Sequence, residues 1–155
     1  MSKRPTRLTQ AEFETLASLR YALRRFLHFS EAAAEQAGLT PQQHQGLLAI
    51  KAFPARMMIG DLAERLQVRH HSAVGLADRL VRQHLAVRER DTRDRRQVYL
   101  SLTPRGEAML EKLSVAHRAE LRRVGGEIKT FLERLLTRPN TRRSGRTKLK
   151  RKTTG

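Results

Sequence analysis

The 155-residue chain contains no cysteine, which excludes disulfides, thiolate metal sites and a thiol redox switch. No apolar run approaches the roughly 20 residues of a membrane-spanning helix. The opening segment, MSKRPTRLTQAEFETL, lacks the apolar centre of a signal peptide,. A soluble cytoplasmic protein is therefore expected, with no membrane partner. Signatures of chemistry are also missing: no Gly-rich phosphate loop, no nucleophile elbow, no run of metal ligands. Ser114 and His117 share one helical stretch, SVAHRAELRR, with no orienting third group implied. The reading is of a non-enzyme with no catalytic residue, no metal and no cofactor.

Acidic residues are scarce. Fifteen Asp and Glu face 32 Lys and Arg, for a formal net charge of +17. Such an excess implies a polyanionic partner. Eight of those charges lie in residues 138–155, RPNTRRSGRTKLKRKTTG, which contain no acid. That tail is nearly free of apolar residues and cannot bury enough surface to order itself. It is expected to be a disordered basic arm that adds non-specific affinity for phosphates. The organisation expected is an N-terminal arm at 1–9, one domain at 10–137 and this tail.

Within the domain, apolar residues recur at helical spacing. Thr9 and Glu12 form a capping-box pattern ahead of Phe13, Leu16, Leu19, Leu23 and Phe26,. Gly38 is a helix stop, Thr40-Pro41 a restart, and Pro54 a break. Ile59, Leu62, Ala63 and Leu66 then share one face of a short helix. After QVRH, Ala73, Leu76, Ala77 and Leu80 share a face of another. Two short amphipathic helices about a tight turn give a helix-turn-helix pattern, which plain helical hairpins also show.

The segment after these helices is more informative. LAVRERD reads as a strand. RQVYLSLT alternates, with Val98, Leu100 and Leu102 on one face and Gln97, Tyr99 and Ser101 on the other,. The tip between them, RDTRDRR, is rich in arginine. A charged hairpin beside a recognition helix suits the flanking minor groove, whose negative potential attracts arginine. Asp91 and Asp94 would fix guanidinium direction. The last stripe starts at Thr103-Pro104 and runs to about residue 137. Gly125-Gly126 interrupts it at a cost of about 2 kcal/mol relative to alanine, so a kink or break is expected there.

The segments LAERL, SAVGLADRL, RDTRDRR and LSLTPRGEAML together resemble the MarR family of bacterial regulators, over roughly residues 10–137. The resemblance implies a mainly α fold with a small β-hairpin wing, in which a winged helix-turn-helix core at 55–103 is flanked by dimerisation helices at 10–37 and 104–137. It implies a homodimer bound to double-stranded DNA at a pseudo-palindromic operator, hence a nucleoid-associated transcription regulator. Such proteins are usually repressors released by a small, often aromatic effector. Matched position by position, the recognition helix falls at about Ser72 to Arg82. Arg69, His70, His71 and Ser72 lie at the end that meets DNA, and Gly75 and Arg79 further along. The wing contributes Arg90, Arg93, Asp94, Arg95 and Arg96, with Asp94 aiming Arg96 into the minor groove. Phe13, Leu16, Leu121, Val124, Ile128, Phe131, Leu132 and Leu135 are the dimer residues. His84 stands where the family usually has glycine, and a left-handed turn there is strained for histidine.

The six histidines invite a metal reading. His70 and His71 are adjacent and point about 100° apart on a helix. His28 and His44, with Glu31 and Glu35, belong to different helices. A polar-surface or DNA-facing role is the expectation for these histidines. Tyr21, Phe26, Phe29 and His44 are the candidates for lining an effector pocket, set against packing in the core or dimer. Two functions remain open. One is the sequence-specific regulator. The other is a non-specific nucleic-acid-binding architectural protein using the winged helix and basic tail. Arg, His, His and Ser at the helix end can read base edges, which an architectural binder does not need.

Overall fold

In the computed structural model, which describes residues 7–94 and 97–137, Thr9 opens the first helix as its pattern requires. Its hydroxyl accepts from the Glu12 N–H at 3.3 Å, and the Glu12 carboxylate accepts from the Thr9 N–H at 2.6 Å. This helix, α1, spans Gln10–Gln36. Thr40 and Gln43 form a second capping box at the start of α2, Pro41–Ala52. A two-residue strand, β1 (Met57–Met58), leads into α3 (Ile59–Leu66) and α4 (His70–Arg82). Strands β2 (Ala86–Arg90) and β3 (Val98–Leu102) make the hairpin, and α5 (Pro104–Leu136) closes the described chain. The N-terminal six residues, Arg95, Arg96 and the basic tail at 138–155 lie outside the described residues.

The fold is mainly α with a small antiparallel wing, as expected, but the sheet has a third strand. Its order is β1-β3-β2, with Met57 opposite Leu100 and Ala86 opposite Leu102. Two residues cannot display an alternation, so β1 leaves no periodic mark in the sequence. Its pairing buries Met57 completely. The core forms where α2, α3, α4, the start of α5 and the sheet meet: Leu47, Ile50, Leu62, Ala73, Leu76, Ala77, Leu80, Leu85, Leu100, Leu110 and Leu113 are all buried. A Cβ on Gly46 would lie 3.2 Å from a methyl of Leu76, so glycine lets α2 approach α4 closely.

The expected break at Gly125-Gly126 does not occur; α5 is one helix of 33 residues. Val124 is buried beside the pair, and α5 packs along α1. The Thr130 hydroxyl donates to the Gly126 carbonyl at 2.9 Å. Burying one large apolar side chain is worth about 1.5–3 kcal/mol, enough to offset the propensity cost of two glycines. Tertiary packing therefore overrides the local preference.

His84 does adopt the left-handed conformation, at φ 58°. It ends α4: its N–H donates to Val81 O, and the next N–H, of Leu85, reaches back to Leu80 O. Its carbonyl accepts from the Thr103 hydroxyl at 2.7 Å. Gln67 is left-handed as well, at φ 53°, and makes the tight turn between α3 and α4.

Candidate nucleic-acid interface

Helix α4, the expected recognition helix, begins at His70, slightly before the expected Ser72, with Arg69 as its N-cap. No side chain caps it. The Arg69 carbonyl takes the N–H groups of Ser72 and Ala73. Arg69, His70, His71, Ser72 and Arg79 are exposed, while Ala73, Leu76, Ala77 and Leu80 face the core. One face of α4 is thus held rigidly and the other is presented. Gly75 is half-buried, and the Arg79 guanidinium passes over it.

The wing is fastened to this helix at its root. Arg88 on β2 forms an ion pair with Asp78 on α4 at 2.6 Å. At the tip, Asp91 organises the loop. One carboxylate oxygen accepts from the backbone N–H groups of Arg93 at 2.7 Å and Asp94 at 3.2 Å. The other faces Arg56, 2.8 Å away on the connection between α2 and β1. These contacts, the Arg93 N–H first, hold the Asp91 carboxyl below its ordinary range. The Arg56 guanidinium also lies over the Tyr99 ring, 3.8 Å from its centre. The Tyr99 hydroxyl donates to the Gln97 side chain, whose amide reaches Asp94 at 3.3 Å.

Of the sequence-predicted wing residues, Arg90, Arg93 and Asp94 are exposed on this hairpin. Arg95 and Arg96 lie outside the described residues. The arginine paired with Asp91 was not foreseen: it is Arg56, from outside the hairpin. Arg88 and Asp78 were also missed. None of the three forms a sequence pattern, because each partner belongs to another element.

The pocket candidates separate. Tyr21 is 65% exposed. Phe26 and Phe29 instead meet His117 edge-on, with ring centres 6.1 and 5.8 Å away. His44 lies against the same ring at 4.6 Å. Both His44 and His117 are buried, which corrects the surface or DNA-facing reading for this pair. His117 Nδ1 donates to the Leu113 carbonyl, and Nε2 lies 2.7 Å from the Ser30 hydroxyl. Burial, and then the neighbouring His117, pushes the His44 pKa below its ordinary value. Position 117 follows Leu113 by four, and position 44 precedes Leu47 by three; helical spacing alone puts both on inward faces. Among the described residues, no group of three or more His, Asp or Glu is placed to hold a metal ion. Nor is any helix among them long and apolar enough to cross a membrane.

The dimer candidates lie on α1 and α5. Phe13, Leu121 and Leu132 are exposed; Leu16, Ile128, Phe131 and Leu135 are half-buried. Val124 is only 2% exposed and is occupied within the protomer. Leu27 and Leu136 add exposed apolar surface to the same two helices.

Helix-turn-helix, wing and paired outer helices agree with a family model that spans residues 37–97, from the end of α1 into the wing, and is described as MarR family. Over those residues the chain is similar to the MarR family. It is 33% identical over 89 residues to the HTH-type transcriptional repressor MdtR of Bacillus subtilis (strain 168). That match spans 57% of this chain and 57% of the relative's length. Among solved structures, YusO of Bacillus subtilis is 27% identical, with a TM-score of 0.60 over 76% of this chain and 83% of its own. AbsC, a MarR family transcriptional regulator from Streptomyces coelicolor, is 25% identical, with a TM-score of 0.67 over 84% and 93%.

Proposed function

We propose that the protein is a dimeric, sequence-specific DNA-binding transcriptional regulator, a repressor relieved by a small effector. One observation carries this reading: the exposed N-terminal end of α4, with Arg69, His70, His71 and Ser72, stands beside a wing tied to the same helix by Arg88 and Asp78. Side chains at such an end reach base edges in the major groove. The open first-turn N–H groups favour a phosphate. The hairpin tip, with Arg90, Arg93 and Arg96, suits the adjacent minor groove. Exposed apolar side chains on α1 and α5, such as Phe13, Leu27 and Leu121, support dimerisation through these helices,. Half-sites would then lie about 10 bp apart, or a multiple of that. The repressor role rests on the likeness to a named repressor. The effector rests on the family resemblance, and Phe26, Phe29 and His44 are the residues proposed to respond to it.

Selecting bound fragments from genomic DNA tests the proposal. An enriched pseudo-palindrome is the expected result, and no enrichment would reject it. The net charge of +17 favours a second reading, a non-specific architectural binder. The two differ at the tail. For a regulator, deleting residues 138–155 weakens binding to all duplexes similarly and leaves site preference in place. It also makes the salt dependence shallower, by about 0.9 for each phosphate the tail no longer neutralises.

A further inference from the structure

Arg56 does two things at once. Its guanidinium lies 3.8 Å from the centre of the Tyr99 ring on β3. It also reaches the Asp91 carboxylate at 2.8 Å, with Glu89 at 4.0 Å. A planar, delocalised cation can stack through its face while donating through its edge; a lysine ammonium cannot. Both contacts lead to the wing tip. Through Asp91, Arg56 acts on the backbone N–H groups of Arg93 and Asp94. Through Tyr99 it acts on Gln97, whose side-chain amide reaches Asp94. Arg56 itself belongs to the connection before β1, outside the hairpin. Its charge is already matched by two acids.

We infer that Arg56 is a positioning residue for the wing: it fixes the direction of the hairpin tip and so acts on DNA through Asp91 and Tyr99, without contacting phosphate. The inference rests on the DNA-binding reading above. Arg56→Lys keeps the charge and loses the stacked fork, whereas Arg56→Gln loses both. The two variants should lose similar operator affinity, about fivefold from a stacked ion pair at a half-exposed site. The slope of log affinity against log salt should stay at the parent value in each. A phosphate contact predicts the opposite: Arg56→Lys binding like the parent, and Arg56→Gln with a slope shallower by about 0.9. That result, or parent-like affinity in both variants, would overturn the inference.

A second measurement needs no DNA. Amide hydrogen exchange at Arg93 and Asp94 should quicken in free Arg56→Lys, while amides of α4 keep the parent rates. Unchanged exchange at the tip would refute the positioning role. If the parent bound no DNA at all, the functional reading would fail, and the exchange experiment would still decide what Arg56 does to the wing.

Discussion

Gly106 lies directly against the carbonyl of Leu85: a Cβ placed on this glycine would fall 2.0 Å from that oxygen. The contact joins the first turn of α5 to the residue that leads from α4 into the wing. Thr103 completes the joint. Its N–H donates to Leu85 O, and its hydroxyl donates to His84 O while accepting from the Gly106 N–H. The Thr-Pro-Arg-Gly run is therefore a clasp between α5 and the turn that leads from α4 into the wing. Gly106→Ala must separate two backbones. It should cost about 3 kcal/mol, the upper range for overpacking, read from urea unfolding midpoints at constant slope. Stability equal to the parent would mean that the approach is not tight.

His84 predicts the reverse sign. It is exposed, and it holds φ 58° where a side chain is disfavoured. His84→Gly should stabilise the fold by up to about 1 kcal/mol, the relief at the left-handed position exceeding the extra freedom of the unfolded chain. A lower melting temperature for the variant would show that the imidazole contributes more than the strain costs.

The buried pair His44–His117 predicts a dependence on pH. Burial lowers the His44 pKa from its ordinary 6.5, so the unfolded state binds the proton more readily. Stability is then fully present above about pH 6.5 and falls as the pH drops from there toward the lowered folded value. His44→Gln removes the titrating group. Melting temperatures measured from about pH 8 down to about pH 5 should decline for the parent and decline less for the variant. Parallel curves would exclude His44 as the source.

The wing offers a test by sign. Asp94 is proposed to aim Arg96. Asp94→Ala makes the protein more positive, so a purely electrostatic tip predicts tighter binding. An aimed arginine predicts weaker binding, because its orienting partner is gone. Titration of one operator at one fixed salt concentration separates the two outcomes.

How far the sequence was legible depends on where the information lies. Thr9, Thr40 and Thr103 announced their helices because caps are local. The apolar stripes placed the core of α3 and α4, and the alternation from Val98 to Leu102 placed β3. Features made by distant partners were hidden. Arg56 is one more arginine in a basic chain until Asp91 and Tyr99 are folded against it. His44 and His117 belong to separate helices, and only their register with Leu47 and Leu113 hinted at burial. At Gly125 and Gly126 the packing of α5 on α1 outweighs the local propensity, and that packing leaves no mark at the two glycines themselves,.

The central claim is that α4 and its wing read a sequence as a pair. The most direct measurement is a titration of the full chain against its selected operator and a base-shuffled duplex at the same salt, with the stoichiometry taken at saturation. Two protomers per pseudo-palindrome are predicted, with a preference of at least about a thousandfold for the operator. Equal affinity for the two duplexes would contradict the claim.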